Sequence, residues 1–173
     1  MSVTVREATP ADAAVLIAHL QELVGEPGIN IPLAPDEVTM TVEQEKAILA
    51  DFAASPRALM LVATGTEGGV SQIVGELSLK AISSRKAVQH VATLGMSVKQ
   101  GWRRKGVGRE LITAALEWAP SAGIKRVELY VYARNVPAIA LYEKCGFAIE
   151  GRRTAFIREG ETFLDDLVMA KIL

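Results

Sequence analysis

Apolar residues recur along the chain at two spacings, and the change from one spacing to the other marks the predicted elements. Alternation of apolar and polar residues indicates a half-buried strand, whereas apolar residues three and four apart indicate the buried face of a helix. The alternating segments predict strands at about residues 3–6, 57–64, 72–81, 87–98, 125–133, 147–157 and 162–172. The helical spacing predicts helices at about residues 10–24, 41–54, 106–118 and 136–144.

The order of these elements, β-α-α-β-β-β-α-β-α-β-β, constrains the topology. The strand–helix–strand unit over residues 90–133 predicts one parallel crossover, because two parallel strands need a connection long enough to hold a helix. The strands before that unit are joined by short turns, which favours an antiparallel meander. No repeat, low-complexity tract or interdomain linker is visible. We therefore expect one α/β (α+β) domain over residues 1–173, with a mixed, mostly antiparallel seven-stranded sheet flanked by about four helices.

Composition excludes several classes of protein. The 173 residues include 20 acidic and 19 basic side chains, so a general polyanion binder is not expected. The longest apolar run, residues 58–63, is far shorter than the roughly 18 residues that span a bilayer, and the first residues do not resemble a secretory signal. One cysteine, Cys145, and two histidines make a poor set of metal ligands. We expect a cytoplasmic protein that uses no metal and has no membrane partner.

A cluster of positive charge interrupts this balanced composition. The segment Lys99–Arg109 holds several basic residues and no acidic one, and it lies between a predicted strand and a predicted helix. Gly106 and Gly108 leave room for a ligand to approach the backbone, and the first N–H groups of a helix are free to bind an anion. Together these features favour a diphosphate site. The alternative is a solvated basic turn whose glycines allow tight packing.

The two common nucleotide-binding motifs do not fit this segment. A P-loop requires Lys-Ser/Thr after its second glycine, but Val107 and Gly108 follow Gly106. A dinucleotide fingerprint requires a third glycine where Leu111 stands. The diphosphate ligand must therefore be held in another way.

Two motifs resemble those of the GNAT N-acetyltransferase superfamily. The segment 103–108, Arg-Arg-Lys-Gly-Val-Gly, matches the family's Arg/Gln-x-x-Gly-x-Gly/Ala motif. The segment 135–147 matches its second block, with Asn135, Leu141, Tyr142, Gly146 and Phe147 in place. The resemblance implies acetyl-CoA as co-substrate, bound in a V-shaped opening between two splayed parallel strands. It also implies direct transfer of the acetyl group to an amine in a ternary complex.

The resemblance implies a set of cofactor-binding residues. Backbone amides around Met96, Ser97 and Val98 would hold the pantetheine arm and polarise the thioester carbonyl. Asn135 would contact the cofactor arm. The pyrophosphate would be held by Arg103, Arg104, Lys105, Gly106, Val107, Gly108 and Arg109.

Acid–base residues are needed because an ammonium has no lone pair with which to attack. Many relatives carry an acid near Thr93, so its absence here leaves Glu76 and His90 as candidate bases, each of which could instead face solvent. Tyr142 matches the family's frequent general acid, which returns a proton to the CoA thiolate. Spacing alone would also fit a core tyrosine.

The identity of the acceptor is left open by the sequence. The resemblance implies a small amine, an amino acid, a polyamine or a protein N-terminus, and the acids Glu26, Asp36 and Glu37 of the variable loop could attract it. It also implies a homodimer. The rival interpretations are a non-catalytic acyl-CoA-binding sensor, which would not need Tyr142, and a nucleic-acid-binding module, which the overall acidity disfavours.

Overall fold

The structure is a computed structural model that describes residues 3–173. Its strands are β1 (Val3–Glu7), β2 (Ala58–Glu67), β3 (Val70–Ala81), β4 (Val91–Val98), β5 (Arg126–Tyr132), β6 (Ala148–Glu159) and β7 (Thr162–Ile172). Its α-helices are α1 (Ala13–Val24), α2 (Val42–Ala54), α3 (Val107–Trp118) and α4 (Val136–Lys144). No helix within these residues is both long and apolar enough to cross a bilayer.

The strands form one sheet in the order β1-β2-β3-β4-β5-β7-β6. Neighbouring strands are antiparallel except β4 and β5, which are parallel and are joined through α3. The predicted meander, the single parallel crossover and the mixed sheet are therefore confirmed.

The predicted end of β2 and the predicted start of β4 differ from the structure. Strand β2 continues through Gly65, which the sequence placed in a turn, and Gly65 pairs with Val3 and Gln72. Glycine is required inside the strand because a Cβ at this position would come 2.5 Å from the Trp102 ring. The turn itself lies at Gly68 and Gly69. Strand β4 begins at Val91, not near residue 87, since residues 85–90 form tight turns such as that from Gln89 N–H to Arg85 O at 2.8 Å.

The sheet buries a core on each face. On one face, α3 covers a large core that includes Leu77, Leu111 and Leu129. On the other face, α1 and α2 cover a smaller core that includes Leu49 and Val62. Since side chains alternate between faces along a strand, the register aligns Val62, Glu76 and Ser97 in one row under α1 and α2. The sheet thus places two polar side chains beneath these helices.

The turn before α1 is held by an ion pair whose removal we expect to destabilise the fold. The Asp12 carboxylate accepts from Thr9 N–H at 2.8 Å and from the Arg6 guanidinium at 2.7 Å, and the hydrogen bond from Arg6 is the main reason that its pKa falls to about 2. A lowered carboxyl pKa stabilises the folded state above pH 4, and this contribution is lost as the pH falls towards 2. Asp12→Asn should therefore lower the free energy of unfolding by about 1–2 kcal/mol at pH 7, after a discount for solvent screening.

Denaturant titrations at pH 7 and pH 2 would measure this effect. The deficit of Asp12→Asn should shrink at the lower pH, while Asp51→Asn on the exposed side of α2 should show no deficit at either. An equal deficit of Asp12→Asn at both pH values would mean that its charge is not the cause.

Candidate active site

The parallel strands β4 and β5 separate soon after they begin. Their pairing covers only Val91 to Thr93 against Arg126 to Glu128. Beyond these residues, both strands continue without pairing to each other, so an opening lies between their carboxyl halves. The predicted splayed pair is therefore present.

Backbone amides of β4 line this opening. Lys99 N–H donates to Val74 O at 2.9 Å, and amides two residues apart in a strand point the same way. Ser97 N–H therefore faces β3 and belongs to the sheet ladder, whereas the N–H groups of Met96 and Val98 face the opening. Of the amides predicted to bind the cofactor arm, that of Ser97 is not available, because the antiparallel register uses it.

The loop before α3 presents free N–H groups. Arg104 and Gly106 have positive φ angles of 61° and 88°, and the first backbone hydrogen bond of the helix runs from Glu110 N–H to Gly106 O at 3.0 Å. The N–H groups of Arg104 through Arg109 meet no acceptor within residues 3–173. A row of free amides at the positive end of a helix is suited to an anion.

Close packing joins this loop to the opening. A Cβ on Gly108 would lie 2.9 Å from Leu141 Cδ2 in α4 and 3.2 Å from Met96 Cε in β4. Glycine is required here by the approach of these side chains, whereas a Cβ on Gly106 would have nothing within 4 Å. Gly106 is instead required by its φ angle. The free amides at the start of α3 and the opening are therefore adjacent.

Part of the predicted positive charge is neutralised by acids. Lys99 Nζ lies 2.9 Å from Glu22, and Arg103 binds Glu26 at 2.6 Å while its Nε donates to Val98 O at 2.9 Å. Glu26 is thus engaged by Arg103 rather than free to attract an amine. The basic residues of the segment that form no ion pair in the described chain are Arg104, Lys105 and Arg109.

A hydrogen-bonded chain of side chains lies beside the opening. Ser97 Oγ donates to Glu76 Oε1 at 3.0 Å and lies 2.8 Å from His19 Nε2 of α1. Burial raises the pKa of Glu76 to about 7, with the Ser97 hydrogen bond lowering it and the Glu45 charge raising it. Burial also lowers the pKa of His19, which is 3% exposed. A carboxyl group that titrates near neutral pH can accept a proton from an amine.

Of the three hydrogen-bonded residues, His19 is the one that the sequence analysis did not propose as a candidate site residue. The sequence instead named His90, which is exposed and precedes the paired end of β4, at the opposite end from the opening. One signal could have identified His19: it lies three residues after Leu16 and four before Leu23, on the buried stripe of α1. A histidine on such a stripe needs a polar partner.

A pocket of about 80 Å³ lies against this chain. It is lined by Leu16, Ile17, His19, Leu20, Met40, Glu45, Met60 and Glu76. Glu45 of α2 is 7% exposed, and burial raises its pKa. The pocket therefore combines apolar walls with two carboxyl groups.

Helix α4 carries the remaining predicted site residues. Tyr142 is 7% exposed, packs edge-on against Phe147 with ring centroids 5.9 Å apart, and has a pKa raised by burial to about 12. Asn135 caps the helix by accepting from Ala138 N–H at 3.4 Å. Leu141, which directly precedes Tyr142, contacts Gly108. The structure thus brings α4 against the start of α3, while the roles of Tyr142 and Asn135 stay predictions.

Metal ligands do not cluster in the described chain: residues 3–173 contain no group of three or more His, Cys, Asp or Glu side chains that could hold an ion. Cys145 packs at the edge of the core, and burial raises the pKa of its thiol.

Comparisons with known proteins identify similar molecules. The model of the acetyltransferase (GNAT) family matches residues 30–147. The chain is 34% identical over 102 residues to the L-amino acid N-acetyltransferase AaaT of Escherichia coli (strain K12), a match that covers 58% of this chain and 62% of that protein.

Solved structures also resemble this one. The acetyltransferase of GNAT family from Streptococcus pneumoniae is 32% identical, with a TM-score of 0.90 over 99% of this chain and 100% of its own. A phosphinothricin acetyltransferase from Sinorhizobium meliloti in complex with AcCoA is 20% identical and shares the fold, with a TM-score of 0.85 over 100% of this chain and 89% of its own.

Proposed function

The chain belongs to the acetyltransferase (GNAT) family, and we propose that it transfers the acetyl group of acetyl-CoA to a primary amine by direct attack in a ternary complex. The observation that carries this proposal is the contact between the two halves of the site. The row of free amides at the start of α3 adjoins the opening of β4 and β5 through Gly108 and Met96. A cofactor whose thioester is joined to a diphosphate by an extended arm fits this arrangement.

The diphosphate would be bound by the N–H groups of residues 104–109. Helix N-termini favour negative charge, and phosphate oxygens accept from several amides at once. The unpaired cations Arg104, Lys105 and Arg109 would add charge attraction. Arg103 would contribute less than predicted, because its guanidinium already binds Glu26.

The thioester carbonyl would accept from Met96 N–H or Val98 N–H. Negative charge develops on this oxygen as the amine attacks, and fixed donors stabilise that charge without reorganisation. The amine must first lose a proton, and Glu76 is the proposed base. Its pKa of about 7 lies close to neutral pH, where a general base is most effective.

The thiolate of CoA must then receive a proton, and Tyr142 is the proposed acid. With a pKa of about 12, its phenol stays protonated at neutral pH and so holds the proton that it would donate.

Replacement of Tyr142 by phenylalanine should lower kcat by about 100-fold or more, since a positioned acid typically contributes that much. The dissociation constant of acetyl-CoA should change little, because the ring and its contact with Phe147 are retained. Steady-state kinetics and calorimetry on the same variant would measure both values. Cys145→Ala, at the end of the same helix, is the control and should retain full turnover. Unchanged kcat in Tyr142→Phe, with chemistry rate-limiting, would remove the acid role.

The names of two similar proteins narrow the class of acceptor amine. The relative from Escherichia coli is named for L-amino acids and that from Sinorhizobium meliloti for phosphinothricin. We propose a small primary amine or amino acid, ahead of a polyamine or a protein N-terminus.

Acetyl-CoA binding and thiol release test the proposal together. Acetyl-CoA should raise the thermal midpoint, since a ligand that binds the folded state stabilises it. A thiol-release screen over amines, amino acids, phosphinothricin, polyamines and peptides should then find an acceptor. The absence of any midpoint shift would contradict the assignment of acetyl-CoA as the ligand. Binding without turnover would favour the acyl-CoA-binding sensor. The homodimer and the cytoplasmic location stay predictions. Light scattering would measure the molecular mass in solution and so test the homodimer.

A further inference from the structure

Three elements contribute to the hydrogen-bonded chain beside the opening. His19 comes from α1, Ser97 from β4 and Glu76 from β3. His19 and Ser97 are both buried, at 3% and 9% exposure. A buried chain that crosses three elements holds each of its members in one orientation.

The direction of the hydrogen bonds follows from the number of hydrogens. The Ser97 hydroxyl has one hydrogen, which it donates to the Glu76 carboxylate. Its oxygen must therefore accept from His19 Nε2–H, which fixes the histidine as the neutral Nε2–H tautomer. His19 Nδ1 is buried and has no partner within residues 3–173, whereas a charged imidazole would need an acceptor there.

Strand order determines which group is nearest to the opening. Strand β4 borders the opening and β3 lies behind it, about 4.8 Å away. Ser97 is therefore closer to the opening than Glu76.

We propose that Ser97 relays the proton of the acceptor amine to Glu76 and that His19 is the positioning residue that holds Ser97 for this transfer. This inference rests on the proposed function. In the step, an N–H bond of the ammonium breaks as a new O–H bond forms on Ser97 Oγ. At the same time, the original hydroxyl proton moves to the Glu76 carboxylate. The products are a neutral amine, an intact serine and a protonated Glu76, with His19 unchanged.

Charged groups near the three hydrogen-bonded residues shift the pKa values of Glu76 and His19. Glu45 of α2 faces Glu76 and raises its pKa. Four charged groups act on His19: Lys99 and Arg103 lower its pKa, and Glu22 and Glu26 raise it. The acids and bases around His19 thus oppose each other, whereas Glu76 senses mainly burial, Ser97 and Glu45.

Nuclear magnetic resonance of the protein without substrate tests the arrangement independently of turnover. At pH 8, where Glu76 is mostly ionised, the side-chain ¹⁵N signals should show His19 neutral, with a proton on Nε2 and none on Nδ1. His19→Gln assigns the signal by removing it and leaving that of His90. A protonated Nδ1, or a charged imidazole, would overturn the proposed direction of the chain.

Carboxyl ¹³C titration and pH–rate profiles test the relay. Ser97→Ala should raise the pKa of Glu76 and move the acid limb of kcat/KM to higher pH, because the lost hydrogen bond favours the charged form. Its kcat should fall by about 10- to 100-fold, the value of a hydrogen bond to a charged group. Glu45→Gln should move the same limb to lower pH. Ser78→Ala, which makes the same change two residues beyond Glu76 on its face of β3, is the control and should leave the limb in place.

Variants of His19 separate positioning from packing. His19→Gln retains a side-chain N–H at a similar reach and should keep most of the wild-type kcat, whereas His19→Leu should lose about as much as Ser97→Ala. Equal losses in both His19 variants, or an unmoved acid limb in Ser97→Ala, would overturn the relay. A wild-type protein that shows the predicted tautomer but neither acetyl-CoA binding nor turnover would instead contradict the proposed function.

Discussion

Replacement of Gly106 by valine should abolish measurable acetyl-CoA binding. Gly106 has a φ of 88°, which a β-branched residue rarely adopts, so the loop must change its backbone to accept valine. The change would turn the neighbouring amides away from the diphosphate. Loss of two hydrogen bonds to a charged group, each contributing about 1.5–3 kcal/mol, weakens binding by about a hundredfold or more.

Gly101→Val is the matched control in the same loop. Gly101 is exposed, its φ is not positive, and a Cβ there would have nothing within 4 Å. Isothermal calorimetry with acetyl-CoA should therefore give a near wild-type dissociation constant for Gly101→Val and no detectable heat for Gly106→Val. Circular dichroism would confirm that both variants fold. Retained binding in a folded Gly106→Val protein would remove the diphosphate assignment.

Positive charge is distributed unevenly along the loop before α3, although the whole sequence is nearly neutral. Glu22 and Glu26 neutralise Lys99 and Arg103 on the side towards α1. The unpaired cations lie further along the loop, where α3 begins. The local acids thus confine the positive field to the part of the loop with free amides, which would favour a compact diphosphate over an extended polyanion.

Much of the fold could be predicted from the sequence because its signals are local. Alternation, capping residues and the strand–helix–strand unit depend on neighbouring residues, and they predicted all the strands and α-helices to within a few positions. The boundary at Gly65 could not be predicted in this way. Glycine is required there by the Trp102 ring, which reaches β2 from a distant part of the chain.

The site could be predicted only in part, for a similar reason. The proposed diphosphate loop lies in one continuous segment, so the sequence alone can point to residues 103–109. The hydrogen-bonded side chains are far apart in sequence: His19 is 78 positions from Ser97, and Glu76 is 21 positions from it. Only the register of β3 with β4 and the packing of α1 bring them together. The same register shows why Ser97 would act through its side chain and not through its amide.

Replacement of Glu76 by glutamine should lower kcat by about 100- to 10,000-fold, the usual contribution of a positioned base. Glutamine has nearly the same shape and can still accept the Ser97 hydrogen bond through its carbonyl oxygen, but it cannot take up a proton. The acid limb of the pH–rate profile, expected near pH 7 in the wild type, should disappear from the residual activity. Stopped-flow kinetics with saturating acetyl-CoA would measure both changes.

The stability of Glu76→Gln provides the control for folding, because the sign of its effect is known. The folded-state pKa of Glu76 is about 7, above the ordinary value of 4.5, so the wild type loses stability as the pH rises from 4.5 to 7 and its buried carboxyl ionises. Glutamine does not ionise, and Glu76→Gln should be more stable than the wild type at pH 8, by up to about 3 kcal/mol. A variant that is less stable at pH 8 would show that its lost activity reflects damage to the fold. A variant that is more stable and still active would show that Glu76 is not the base.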